Sequence, residues 1–97
     1  MKTYVVVAYD IRDDRRRDKV AKILEGYGER VQYSVFECRL DRVQYLRLRH
    51  RLEEVIDRDA DLVSFYFLCE ADVRRIVRIG SGPPRFEESA VFADEGS

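Results

Sequence analysis

Residues 30–40, Arg30-Val31-Gln32-Tyr33-Ser34-Val35-Phe36-Glu37-Cys38-Arg39-Leu40, carry an apolar alternation in two incompatible phases. Val31, Tyr33 and Val35 keep one phase, and Phe36, Cys38 and Leu40 keep the other. Side chains alternate faces along a strand, so a one-residue slip sends an apolar set to the wrong face. The slip at Val35–Phe36 therefore predicts either a bulge or a tight break into two short strands. No Gly, Pro, Asn or Asp marks a hairpin turn there, so the two readings stay open.

The flanking segments supply the strands and helices around it. Upstream, Thr3 to Tyr9 is a β-branched, continuous apolar run, the pattern of a central strand buried on both faces. Asp13 or Asp14 can cap the helix that follows. Val20, Ile23, Leu24 and Tyr27 then fall on one helical stripe, and Gly26 and Gly28 end it. Downstream, Asp41 caps a second helix over Arg42–Arg58. Its inner face is Tyr45, Leu48, Leu52 and Val55, and its outer face is Arg47, Arg51, Glu54 and Arg58. Leu62–Cys69 reads as another strand, and a short turn or helix over Ala71–Arg75 leads to Val77-Arg78-Ile79.

Strand, helix, irregular strand or strand pair, helix, strand is the plan of a split βαβ, ferredoxin-like α+β fold. Its antiparallel sheet carries two helices on one face. Beyond a loop at Gly80–Pro84, Ser89–Ala93 is left over as a short strand before an acidic tail. It suits strand addition to the open sheet edge of a second subunit. The expected organisation is one domain over residues 1–97, with a core of about 1–80 and a dimer-exchange segment of about 81–93.

A chain of 97 residues buries only a modest core, so dimerisation would add stability. Its longest apolar runs are far short of the ~20 residues that span a bilayer, and the N-terminus lacks a signal-peptide pattern, so the expected location is cytoplasmic. Cys38 and Cys69 have no CxxC spacing and read as buried small hydrophobes. His50 is the sole histidine, which excludes zinc sites built from several His. Ser34 has no histidine near it in sequence, which argues against a serine nucleophile. The net charge of −1 conceals a division: residues 1–58 carry fourteen Lys and Arg against eleven acids, and residues 59–97 carry four against eight. Fifteen of the eighteen basic residues are Arg, whose planar fork matches phosphate.

Asp10 stands where the first strand runs out. It reads either as a simple strand terminator or as a ligand of a hard cation such as Mg2+, which needs only one or two carboxylates when phosphate and water complete its shell. In a dimer, one position would supply two carboxylates. Arg15-Arg16-Arg17 reads either as an ion-paired helix start or as a phosphate clamp, with Arg16 and Arg17 aimed at the strand end that carries Asp10. Tyr9, Tyr33 and Phe36 are either core or base-stacking residues. Arg42, Arg47, Arg49 and Arg51, with His50 among them, make a second helix that is either a solvated face or a track for a nucleic-acid backbone.

Three features occur together: a strand ending in Tyr9-Asp10, the Asp-Asp-Arg-Arg-Arg helix start, and the block Gly28 to Glu37 (GERVQYSVFE). In combination they resemble the CRISPR-associated protein two family, strongly over residues 3–40 and by layout beyond. The resemblance implies a ferredoxin-like homodimer whose C-terminal strand crosses to the partner. It implies an Asp10 pair at the dimer interface that binds Mg2+, with Mn2+ as a substitute. It implies Tyr9, Arg16, Arg17, Arg30, Ser34 and Phe36 as support for the active site or nucleic acid, with Arg16 and Arg17 interchangeable within the run. Members of the family are described as metal-dependent endonucleases on single-stranded RNA or double-stranded DNA. They also form the central dimer of a complex with the CRISPR integrase that holds spacer DNA during acquisition, a role that needs no cutting. Virulence-associated toxin-like ribonucleases share the fold and the strand-end Asp. An unrelated ferredoxin-like ligand-binding domain is the remaining alternative.

Overall fold

The computed structural model of the chain describes residues 1–81. Its elements are β1 (Thr3–Asp10), α1 (Asp14–Glu25), β2 (Gly28–Gln32), β3 (Val35–Leu40), α2 (Arg42–Val55), β4 (Leu62–Leu68) and the four-residue α3 (Glu70–Val73). The four strands form one antiparallel sheet in the order β2-β3-β1-β4. This is the expected split βαβ arrangement, with β1 central and β2 and β4 at the edges. The expected strand at Ser89–Ala93 and the exchange segment from residue 82 onward lie outside the described residues.

Alternation along the strands divides the sheet into two faces. Val5, Val7 and Tyr9 of β1 and Phe36, Cys38 and Leu40 of β3 pack with Val20 and Leu24 of α1 and Leu48 and Leu52 of α2. The helical stripes read from the sequence are the ones buried, with Ile23, Tyr27, Tyr45 and Val55 flanking them. The alternate residues, including Val6, Ala8 and Asp10 of β1 and Leu62, Ser64 and Tyr66 of β4, face away from the helices. On this open face Leu62 is 61% exposed and Tyr66 is 55% exposed.

Local chemistry fixes the boundaries. Asp13 is the N-cap of α1, its carboxylate accepting from the Arg16 amide at 2.9 Å. Asp41 and Gln44 form a reciprocal capping box on α2. The α2 helix stops three residues short of the expected Arg58. Ile56 turns extended, and the segment after it bonds to itself. Asp61 accepts from the Asp57 amide, and Asp57 from the Asp59 amide, each at 2.9 Å. Such side-chain acceptors offer backbone amides an alternative to the helical ladder.

The irregular stretch resolves as both expected devices at once, and earlier in the chain. The break falls at Tyr33–Ser34 instead of Val35–Phe36, and a register shift lies between Arg30 and Gln32. Among the described residues no non-glycine has a positive φ. A two-residue turn without left-handed residues matches strand twist poorly, and a bulge supplies local twist. Gly28 does not belong to the end of α1 as expected; it opens β2. A Cβ there would collide with the Glu37 carbonyl and the Cys38 sulfur, so the close approach of β2 to β3 requires glycine.

Candidate nucleic-acid and metal site at the end of strand β1

Tyr9 and Asp10 are consecutive in a strand, so they leave it on opposite faces. Tyr9 is 6% exposed and packs on the helix side. Its ring stacks on Phe36 with centroids 6.3 Å apart, and its hydroxyl donates to the Tyr33 carbonyl at 3.5 Å. Burial raises the Tyr9 pKa above the ordinary phenol value, so the ring stays neutral at neutral pH. Phe36 is fully buried. Asp10 is exposed, and among the described residues its carboxylate has no hydrogen-bond or ion-pair partner.

The turn between β2 and β3 closes over the end of β1. The Tyr9 amide donates to the Ser34 carbonyl at 3.1 Å, so Ser34 contributes its backbone to this region. Arg30 lies within cation–π distance of two rings, 5.3 Å from the Phe36 centroid and 5.8 Å from the Tyr33 centroid. Among the described residues no carboxylate pairs with Arg30. Tyr9, Arg17, Asp18, Ala21, Arg30 and Tyr33 line a cleft of about 50 Å3 here.

The two arginines of the run are tied to the fold, in place of the expected approach to Asp10. Arg16 reaches Asp61 with two hydrogen bonds, Nε at 2.7 Å and Nη2 at 3.2 Å. The Arg16 contact, and then the Asp57 amide, hold the Asp61 carboxyl below the usual range. Arg17 donates to the Ile11 and Arg12 carbonyls at 3.1 and 3.4 Å and pairs with Asp14. Arg16 thus ties the start of α1 to the α2–β4 segment and Arg17 braces the β1–α1 loop, while Arg12 and Arg15 stay exposed. A carboxyl whose pKa is lower in the folded state stabilises the fold above its unfolded value of about 4, and that contribution is lost as pH falls through the folded value. Asp61→Asn should therefore lower Tm at pH 7 and flatten the acid limb of a Tm-against-pH series. Curves parallel to wild type down to pH 3 would show that the pair does not stabilise the fold.

Other candidate groups sort clearly. Burial, and then the charge of Glu37, push the Cys38 thiol up to about 12, so it is an inert packing group. Cys69, expected to be buried, is exposed, and its thiol donates to Asp72 at 3.2 Å. Arg49 of α2 pairs with Glu53, and His50 lies 3.3 Å from Glu54 on the exposed face. Sequence reasoning missed Glu37, whose carboxylate accepts from Tyr4 and, at 2.8 Å, from Arg78 across the open face. A pair separated by 41 residues leaves no local signal.

No cluster of three or more His, Cys, Asp or Glu able to hold a metal occurs among the described residues. Asp10 fits a hard cation as one ligand of several, since its oxygens are unengaged. The remaining ligands would have to come from phosphate, water or a second copy of the chain.

This geometry defines a class: a small ferredoxin-like domain whose strand end carries a solvent-facing carboxylate on one sheet face and an arginine–aromatic cleft on the other. The family model described as CRISPR associated protein Cas2 matches residues 1–76, and the chain belongs to that family. It is 49% identical over 86 residues to a CRISPR-associated endoribonuclease Cas2 of Thermus thermophilus, covering 88% of this chain and 92% of that one. It superposes on the Cas2 crystal structure from Streptococcus pyogenes with a TM-score of 0.73 at 36% identity, covering 79% and 99% of the two chains. It also superposes on a chain of a partial Cas6-RT-Cas1–Cas2 complex with a TM-score of 0.70 at 27% identity, covering 86% and 96%.

Proposed function

We propose that the protein acts in CRISPR spacer acquisition as a homodimer that binds nucleic acid and bridges the CRISPR integrase, with Mg2+-dependent endonuclease activity at Asp10. The observation that carries the reading is the placement of Asp10. It is a carboxylate without a partner among the described residues, on a sheet face that also presents Leu62 and Tyr66 to solvent. Exposed apolar residues on a sheet favour burial against another surface. A second copy seated there would bring two Asp10 carboxylates to one interface. Mg2+ or Mn2+ bound there would polarise a phosphodiester and activate water on single-stranded RNA or double-stranded DNA. This chain's residues would position the substrate: Asp10 as metal ligand, Arg30 as phosphate partner, and Tyr9, Arg16, Arg17, Ser34 and Phe36 as the frame that holds the strand end. The endoribonuclease naming of the Thermus thermophilus relative supports the nuclease activity, and the Cas1–Cas2 complex supports the integrase partner.

A second reading is favoured by one specific observation: a single chain offers one carboxylate and no metal cluster among its described residues. Under it the dimer holds spacer DNA without cutting. The exposed Arg12, Arg15, Arg42, Arg47 and Arg51 would grip the backbone.

Purified protein should sediment as a dimer. It should cleave single-stranded RNA or double-stranded DNA with added Mg2+ and stop in EDTA. Salt-sensitive DNA binding with no cleavage at any pH or metal would leave the holding role alone. A monomer that binds neither substrate would refute both readings.

A further inference from the structure

We infer that Tyr33 is a stacking platform for an unpaired base, which gives the nucleic-acid site a preference for single strands. The inference rests on the nucleic-acid reading above and narrows its substrate class. Three aromatic residues near the strand end were candidates for stacking, and burial eliminates two. Tyr9 is 6% exposed and Phe36 is fully buried, and they stack on each other. Tyr33 is 72% exposed at the tip of the β2–β3 turn.

The setting of Tyr33 is that of an aromatic surface held in place. The Arg30 guanidinium backs its ring at 5.8 Å from the centroid and is itself seated on the buried Phe36 ring. The Tyr33 carbonyl is held by the Tyr9 hydroxyl. A backed ring has less freedom to lose on binding, so a base laid on its outer face costs less order. Every base has a π-face, so stacking of this kind tolerates any sequence.

The cleft beside the ring sets the binding mode. At about 50 Å3 it has room for one or two waters or the oxygens of a phosphate, and is too small for a base. A base must therefore lie outside, on Tyr33, while Arg30, which pairs with no carboxylate among the described residues, presents positive charge to the adjoining phosphate at a cleft that Asp18 also lines. The turn is bonded through Ser34 to Tyr9, so the stacked nucleotide lies at the same end of β1 as Asp10, on the helix side of the sheet, opposite the face that carries the carboxylate. A base inside a duplex has both faces covered by its neighbours and is denied this contact.

The test is anisotropy of labelled oligonucleotides in EDTA, which prevents metal-dependent cleavage. The oligonucleotides are single-stranded RNA, single-stranded DNA and duplex DNA, titrated with wild type, Tyr33→Ala and Tyr33→Phe. Tyr33→Ala should weaken single-strand binding roughly 5- to 100-fold, the effect of losing one stacked base. Duplex affinity should stay within twofold of wild type. Tyr33→Phe should restore single-strand binding, because the ring and not the hydroxyl carries the contact. The slope of log K against log salt should be unchanged, since no charge is removed. Equal losses on RNA and DNA single strands mean a base contact alone; a loss confined to RNA or to DNA names the strand that reaches the platform. Equal affinity of Tyr33→Ala and wild type for single strands would overturn the inference while the nucleic-acid reading stands. An equal loss on duplex and single strand would overturn it too, because the residue would then serve the backbone or the fold. No binding of any oligonucleotide by wild type would refute the nucleic-acid reading itself and this inference with it.

Discussion

Asp10→Asn should reduce metal-dependent cleavage by at least about 100-fold, equivalent to roughly 2.7 kcal/mol in the barrier, while leaving the melting curve in place. The expectation has two independent halves. Asn is nearly isosteric and keeps an oxygen, but it lacks the negative charge a hard cation seeks, so metal affinity falls. Stability is spared because the Asp10 carboxylate has no hydrogen bond or ion pair among the described residues to lose. Exposed positions free of special contacts usually change stability by no more than about 0.5 kcal/mol. Wild type and mutant purified in parallel, assayed on both substrates with Mg2+ and with EDTA, decide the matter. Cleavage that survives the substitution would place the activity elsewhere or in a contaminant. Loss of cleavage together with a lowered Tm would show Asp10 to be structural.

Phe36→Ala should cost about 3–5 kcal/mol of folding stability, a large share of the ~5–15 kcal/mol that holds a domain of this size. Phe36 belongs to the conspicuous block of residues 28–37 and reads from the sequence as support for a functional site. The structure puts its ring at zero exposure, stacked against Tyr9 and under Arg30, with Val7 as its register partner on β1. Truncation leaves a cavity between the sheet and the helices packed on it and removes the seat of Arg30. The expected result is a Tm lower by roughly 15 °C or more at fixed protein concentration. Nucleic-acid binding should fall in parallel with the folded fraction, and Phe36→Leu, which keeps most of the volume, should recover much of both. A mutant with wild-type Tm and abolished activity would give Phe36 a direct role on substrate.

The sequence by itself determined the order of the main elements and carried the family resemblance, while the division of residues 28–40 into β2 and β3 stayed open. Apolar runs and helical stripes are local properties, and β1, α1, α2 and β4 carry theirs within their own residues. The C-terminus of α2 was not legible, because the Asp57–Asp61 bonds compete with the helix over a span that hydropathy does not register. Only the tertiary structure decided which residues of the site are free. Arg16 follows Asp61, which the fold delivers from 45 residues away, and Glu37 receives Arg78 from the far end of the described chain. Tyr33 was separable from Tyr9 and Phe36 only once burial was known. A long charged side chain goes to whichever carboxylate or carbonyl folding brings within reach, and an aromatic ring is core or surface according to what packs over it. Both depend on long-range pairing that no local pattern encodes.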